Sequence, residues 1–184
     1  MAFGRAKKPP APLDEAALYN HAVKALGRHM RTESELRRLM QLRAEPGETG
    51  QAAIKSVLVR LREHGYLNDA AYAETYTRLR QENEKLGSRR VRQQLAQKGV
   101  PSGLAQKAVE ARYSGADEEA LARAHLERKR IRKPENEKET ARAVRRLATA
   151  GFSTGIIYKI LRQWDVPDES LAALETLDEE PREE

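Results

Sequence analysis

The feature that most narrows what this chain can become is that it repeats itself. Displaced by 52 positions, the segment Arg89 to Pro101 lies on Ala141 to Ser153, which sets Leu95 against Leu147 and Gly99 against Gly151. The register then continues: Leu104 falls on Ile156, Ala105 on Ile157, Ala108 on Ile160 and Val109 on Leu161. A period of tens of residues indicates supersecondary units laid in series rather than one irregular core. Within each unit the apolar residues recur three and four apart, the spacing that puts them on one face of a helix.

The windows run Asp14 to His29, Thr32 to about Leu42, about Gln51 to His64, Asp69 to about Gln81, Ser88 to Lys98, a helix opening at Pro101, Asp117 to about Arg130, Glu137 to Ala150, and Ser153 to Trp164. Thr32 and Glu35 have the spacing of a capping box. Leu42 to Gly50 is expected to be a longer loop in the first unit. Gly65, Gly99 and Gly151 each follow a helix, where glycine takes a positive φ at little cost and an apolar residue just beyond packs back on the last turn. Ser153 is expected to cap the last helix while Phe152 staples onto Ile157. Only 13 residues are Val or Ile and no alternating run reaches strand length, so a sheet has little to build from.

The resulting expectation is an all-α, elongated tandem array of three three-helix repeats at residues 14–68, 69–113 and 114–164. A disordered basic arm (1–13) precedes them and an acidic tail (165–184) follows. No apolar run approaches the ~20 residues of a membrane span, and the first residues lack a signal-peptide block, so a cytoplasmic protein is expected.

Charge is distributed unevenly. Residues 1–65 hold 12 Lys/Arg against 7 Asp/Glu, residues 66–113 hold 9 against 5, and residues 114–164 hold 12 against 7, whereas 165–184 hold one Arg against nine acids. The net charge of +6 therefore hides a strongly basic body, which favours a polyanionic partner. Three clusters carry the excess: Arg89, Arg90 and Arg92 with Lys98; Arg128, Lys129, Arg130, Arg132 and Lys133; and Arg142, Arg145 and Arg146. At helical spacing such groups form a row that can face phosphates, or equally a solvated face whose cations pair with neighbouring acids. The acidic run Asp178 to Glu180 with Glu183 and Glu184 can screen these clusters and weaken non-specific binding.

Much chemistry is excluded. Without cysteine there are no disulfides, thiolate nucleophiles or Cys-based metal sites. His21, His29, His64 and His125 are scattered without metal-ligand spacing and read as surface or cap residues, and no phosphate-binding P-loop is present. No catalytic residue, metal or cofactor is expected. Tyr66, Tyr72 and Tyr76 offer aromatic faces of the kind that stack on single-stranded DNA. Core packing is the expectation for all three, for Leu79 on the same stripe, and for Phe152 and Trp164.

Gly65-Tyr66-Leu67-Asn68-Asp69, Tyr72-Ala73-Glu74, Tyr76, Gly87, Arg89-Arg90-Val91-Arg92, Leu95 and Lys98-Gly99-Val100 together resemble the central signature of the RecX family of bacterial regulatory proteins. Arg28 to Arg37 resembles the family's first-unit motif, and Gly151-Phe152-Ser153 with Ile156 its third, so the resemblance spans about Tyr19 to Trp164. Asn68 stands where an acid is commoner, and the tail lies outside the pattern. The resemblance implies a non-enzymatic, monomeric regulator that binds the RecA filament on single-stranded DNA, restrains its ATP hydrolysis, strand exchange and co-protease activity, and binds double-stranded DNA weakly. A different reading makes Val91 to Val109 a helix-turn-helix that reads duplex sequence through Gln106 and Lys107. A third is a helical scaffold that binds no nucleic acid.

Overall fold

The structure is a computed structural model that describes residues 11–164. The expected acidic tail and the first ten residues of the expected arm lie outside the described residues. Among those described there are nine helices in three consecutive sets of three. They are α1 (Glu15–Leu26), α2 (Glu33–Gln41) and α3 (Glu48–Glu63); α4 (Asp69–Glu84), α5 (Ser88–Gln97) and α6 (Ser102–Tyr113); then α7 (Glu118–Arg128), α8 (Glu137–Thr149) and α9 (Thr154–Gln163). The only sheet-like pairing among them is an isolated bridge between Leu13 and Ala44, with Leu13 N–H donating to Arg43 O at 2.7 Å. Leu13 is thus tied to the fold rather than part of a loose arm.

Two compact units emerge. The first comprises residues up to Tyr72 together with Lys98–Pro101. Its α1, α2 and α3 pack on one another around Leu18, Leu36, Met40, Ile54, Leu58 and Leu61, all buried. The second comprises Ala73–Gln97 and the residues from Ser102 onward, where α5 packs on α6, and α7 and α8 both pack on α9.

The 52-residue echo is visible in burial. Val91 and Ala143, Leu95 and Leu147, Val100 and Phe152, Ala105 and Ile157, Ala108 and Ile160, and Val109 and Leu161 are buried pair by pair. Gly65, Gly99 and Gly151 all take positive φ, at 72°, 76° and 92°. The Thr32–Glu35 capping box forms in both directions, and Ser153 Oγ accepts from Ile156 N–H.

Several local expectations are corrected. α3 begins at Glu48, not near Gln51, so the expected loop is shorter. Gly50 does not break the helix: a Cβ there would lie 1.8 Å from Glu45 O, so glycine is what lets the preceding loop cross the first turn. α4 runs on to Glu84, its last turn held by Arg78–Glu82 and Arg80–Glu84 pairs. After Gly65 the residue that packs back is Leu67, which is buried, while Tyr66 is 54% exposed. Leu79 is exposed rather than on the buried stripe, Tyr72 is buried, and Tyr76 is half-buried with its hydroxyl donating to Gln94 Oε1 at 3.0 Å. Phe152 is core as expected, but Trp164 is half-buried at the end of α9.

Candidate nucleic-acid interface

The site grows out of how α5 and α8 are held in the second unit. α8 is opened by Asn136, whose Oδ1 accepts from Glu139 N–H at 3.0 Å, while Glu139 Oε2 accepts from Glu135 N–H at 3.0 Å. With Thr140, Ala143, Val144 and Leu147 buried, the spacing of Arg142, Arg145 and Arg146 places all three on the exposed side of α8. α5 similarly buries Val91 and Leu95.

Two glycine turns bring these helices together. Gly87 N–H donates to Ala150 O at 2.8 Å, and a Cβ on Gly87 would lie 2.4 Å from Gly151 O. A Cβ on Gly151, whose φ is +92°, would lie 2.3 Å from Arg90 N. Backbone therefore rests on backbone, an approach only glycine permits at these positions. Arg90 is thereby set beside the end of α8.

An open groove of about 600 Å3 results, lined by Glu84, Leu86, Arg90, Gln94, His125, Lys129, Arg142, Arg145, Arg146 and Thr149. A second concavity of about 420 Å3 shares Lys129, Arg142 and Arg146 with it and adds Arg130, Arg132 and Lys133, with the carboxylates of Glu135 and Glu139 also in its wall. A third, of about 350 Å3, shares Arg90 and Thr149 and adds Arg89 and Gln93. These shared walls join the three into one cationic strip.

Within the second unit, Arg92 and Arg128 are exposed but line none of these concavities. Lys98 belongs to the first unit, where its ammonium donates to Glu35 Oε1 at 2.7 Å and lies 6.0 Å from the centre of the Tyr72 ring. That hydrogen bond raises the Lys98 pKa against the opposing effect of burial. Burial opposes ionisation of Glu35, but Lys98, the Thr32 N–H and the charge of Arg31 outweigh it and hold the carboxyl below its usual range.

Elsewhere seven arginines meet acids, while among the described residues no ion pair involves Arg28, Arg31, Arg38 or Arg43. Arg37 and Arg62 meet Glu33, Arg60 meets Glu15, Arg78 and Arg112 meet Glu82, Arg80 meets Glu84 and Arg123 meets Glu119. Along the strip, among the described residues, no ion pair involves Arg89, Arg90, Arg142, Arg145, Arg146, Lys129, Arg130 or Arg132. Arg90 instead donates to the amide oxygen of Gln93 at 2.8 Å. Such a lining suits a chain of anions, each of which arginine can meet with paired donors.

His125, expected to be a surface or cap residue, is only 4% exposed. Its Nδ1 lies 3.1 Å from Glu84 O, and its ring meets Phe152 edge to face at 6.0 Å. Burial, followed by the charge of Lys129 and then those of Arg128 and Arg146, lowers its pKa against the hydrogen bond that favours the cation. The residue was recoverable from sequence, because Ala122, His125 and Leu126 share the apolar face of α7. Gln94 and Thr149 carry no such signal; only the convergence of α5 with α8 places them in the groove. No cluster of three or more potential metal ligands occurs among the described residues.

Nine helices in consecutive sets of three among the described residues define a helical-repeat protein. Residues 68–109 match the family model described as RecX, second three-helix domain. The chain is 30% identical over 170 residues to the regulatory protein RecX of Myxococcus xanthus, covering 85% of this chain and 90% of that one. It is 32% identical over 169 residues to the regulatory protein RecX of Thermobifida fusca, covering 88% of each. The crystal structure of RecX from Lactobacillus salivarius superposes with a TM-score of 0.67 at 23% identity, over 83% of this chain and 97% of that one. The chain belongs to the RecX family.

Proposed function

We propose that this protein binds the RecA filament assembled on single-stranded DNA and restrains RecA's ATP hydrolysis, strand exchange and co-protease activity, without being an enzyme itself. The observation that carries this reading is the convergence of Arg89, Arg90, Lys129, Arg130, Arg132, Arg142, Arg145 and Arg146, none of them in an ion pair among the described residues, on the joined concavities along α5, the end of α7 and α8. Arg89, Arg90, Arg142, Arg145 and Arg146, with the segment Lys129 to Lys133, are the groups assigned to phosphates. Arg92 and Arg128 are assigned to the margin of that surface. Binding of this kind is insensitive to base sequence and weakens as salt rises. Duplex DNA presents phosphates too, which accounts for weak binding to it. The protein acts as a monomer in the cytoplasm.

The duplex-reading alternative is less well supported, because Gln106, its candidate for reading base edges, donates its amide N–H to Glu110 Oε1 at 2.7 Å. RecA ATPase measured on single-stranded DNA with and without this protein tests the proposal. Inhibition is expected from the native chain, and strong loss of inhibition from Arg90→Glu combined with Arg145→Glu and Arg146→Glu. Equal inhibition by that variant, with its helical content intact, overturns the assignment of the strip. A defined footprint on one duplex sequence favours the alternative.

A further inference from the structure

The first unit carries an aromatic feature that its folding does not require. Tyr66 follows Gly65, but Leu67 supplies the apolar contact that closes the turn, leaving the Tyr66 ring 54% exposed. That ring is nevertheless held in place, edge to face with His64 at 6.4 Å and 63°. His64 shares a 2.8 Å hydrogen bond with the Tyr19 hydroxyl and meets the Tyr19 ring at 6.1 Å and 80°. Beneath it the Arg60 guanidinium lies 4.5 Å from the centre of the Tyr19 ring and 3.6 Å from Glu15. Glu15 in turn accepts from the Ser56 hydroxyl at 2.8 Å.

This is a ladder at four-residue spacing, Glu15 and Tyr19 on α1 against Ser56 and Arg60 on α3 and His64, which caps the end of α3. It ends in an exposed aromatic ring. Each rung fixes the next, so the terminal ring is oriented before any ligand arrives. Arg60 and Arg62 stand in the last turn of the same helix in solvent-exposed pairs with Glu15 and Glu33 at 3.6 and 3.7 Å, contacts weak enough for a phosphate to displace. A flat, exposed π face is what an unpaired base stacks on, and the exchangeable cations of the same helix end suit its phosphate. Paired bases keep their faces buried in the duplex stack, so the ligand must be single-stranded.

We infer that Tyr66, supported by His64, Tyr19 and Arg60, is a nucleobase-stacking platform for single-stranded DNA. It is a site in the first unit, separate in its residues from the cationic strip, and it does not depend on the phosphate assignment made there.

The test uses the full chain and two labelled strands of equal length, oligo-dT and its abasic counterpart, followed by fluorescence anisotropy. The native protein is expected to prefer oligo-dT. Tyr66→Ala is expected to weaken oligo-dT binding roughly 5- to 100-fold and leave abasic binding unchanged, while Tyr66→Phe retains the native preference. Because the side chain is largely exposed, the unfolding midpoint of either variant should stay near the native value. A Tyr66→Ala protein that binds both strands as the native chain does overturns the inference, as does a native protein indifferent to the presence of bases. Arg142→Gln, Arg145→Gln and Arg146→Gln combined should instead weaken both strands alike. If that variant binds both strands normally while Tyr66→Ala loses only oligo-dT, the stacking site stands and the strip assignment falls.

Discussion

His125 is a residue whose chemistry its surroundings alter, and the direction of the change decides its pH behaviour. An unperturbed imidazole titrates at about 6.5. Burial and the cations of the strip lower that value in the folded protein. As pH falls through about 6.5 the unfolded chain therefore takes up its proton first, and stability declines until the lower folded pKa is also passed. Chemical denaturation from pH 8 down to pH 5 should show this loss, and His125→Gln should flatten it. An oligonucleotide that neutralises Lys129, Arg128 and Arg146 should raise the His125 pKa, visible as an upward shift in its NMR titration when the strand is added. No shift would mean that the strand lies elsewhere.

At the scale of helices and turns, the meeting of Gly87 with Gly151 is the joint on which the groove depends. Gly87→Ala drives a methyl into the Gly151 carbonyl, and Gly151→Ala drives one into the Arg90 backbone while also straining a positive φ. Each should cost about 3 kcal/mol, at the upper end of overpacking effects, measured by denaturant unfolding. Gly103→Ala is the control, since a Cβ there meets nothing within 4 Å, and it should be neutral or slightly stabilising. Sequence foretold most of the elements at this scale. The capping box at Thr32, the three positive-φ glycines and the burial shared at a 52-residue offset all follow from local rules that the chain obeys. What sequence did not disclose is distant pairing. Gly50 reads as the end of a loop until Glu45 is seen lying across it inside the first turn of α3, and Tyr66 looks like the apolar residue after a glycine until Leu67 takes that place. Thr32 reads as a cap, yet its hydroxyl also donates to Lys98 O at 2.7 Å, 66 residues away.

For the molecule as a whole, the sequence gives the amount of charge but not which cations are already matched. Lys98 looked equivalent to its neighbours in the first cluster, and only the contact with Glu35 separates it from them. Arg90 and Arg142 lie far apart in sequence but line one groove. The salt dependence of binding measures the matched and unmatched groups collectively. For a single strand, the slope of log affinity against log salt changes by about 0.7 for each phosphate contact. Removing Arg142, Arg145 and Arg146 together by substitution with Gln should therefore make the slope shallower by about 2, read from titrations at several salt concentrations. Lys98→Gln should leave the slope nearly unchanged, because that charge is committed to Glu35.

The contact between the turns at Gly87 and Gly151 also bears on how such chains can diverge. With no side chain at either position, each turn is a ceiling for the other, so neither can be lengthened, shifted or given bulk alone. Substitutions there should be tolerated only as correlated pairs, in which one backbone retreats as the other gains volume.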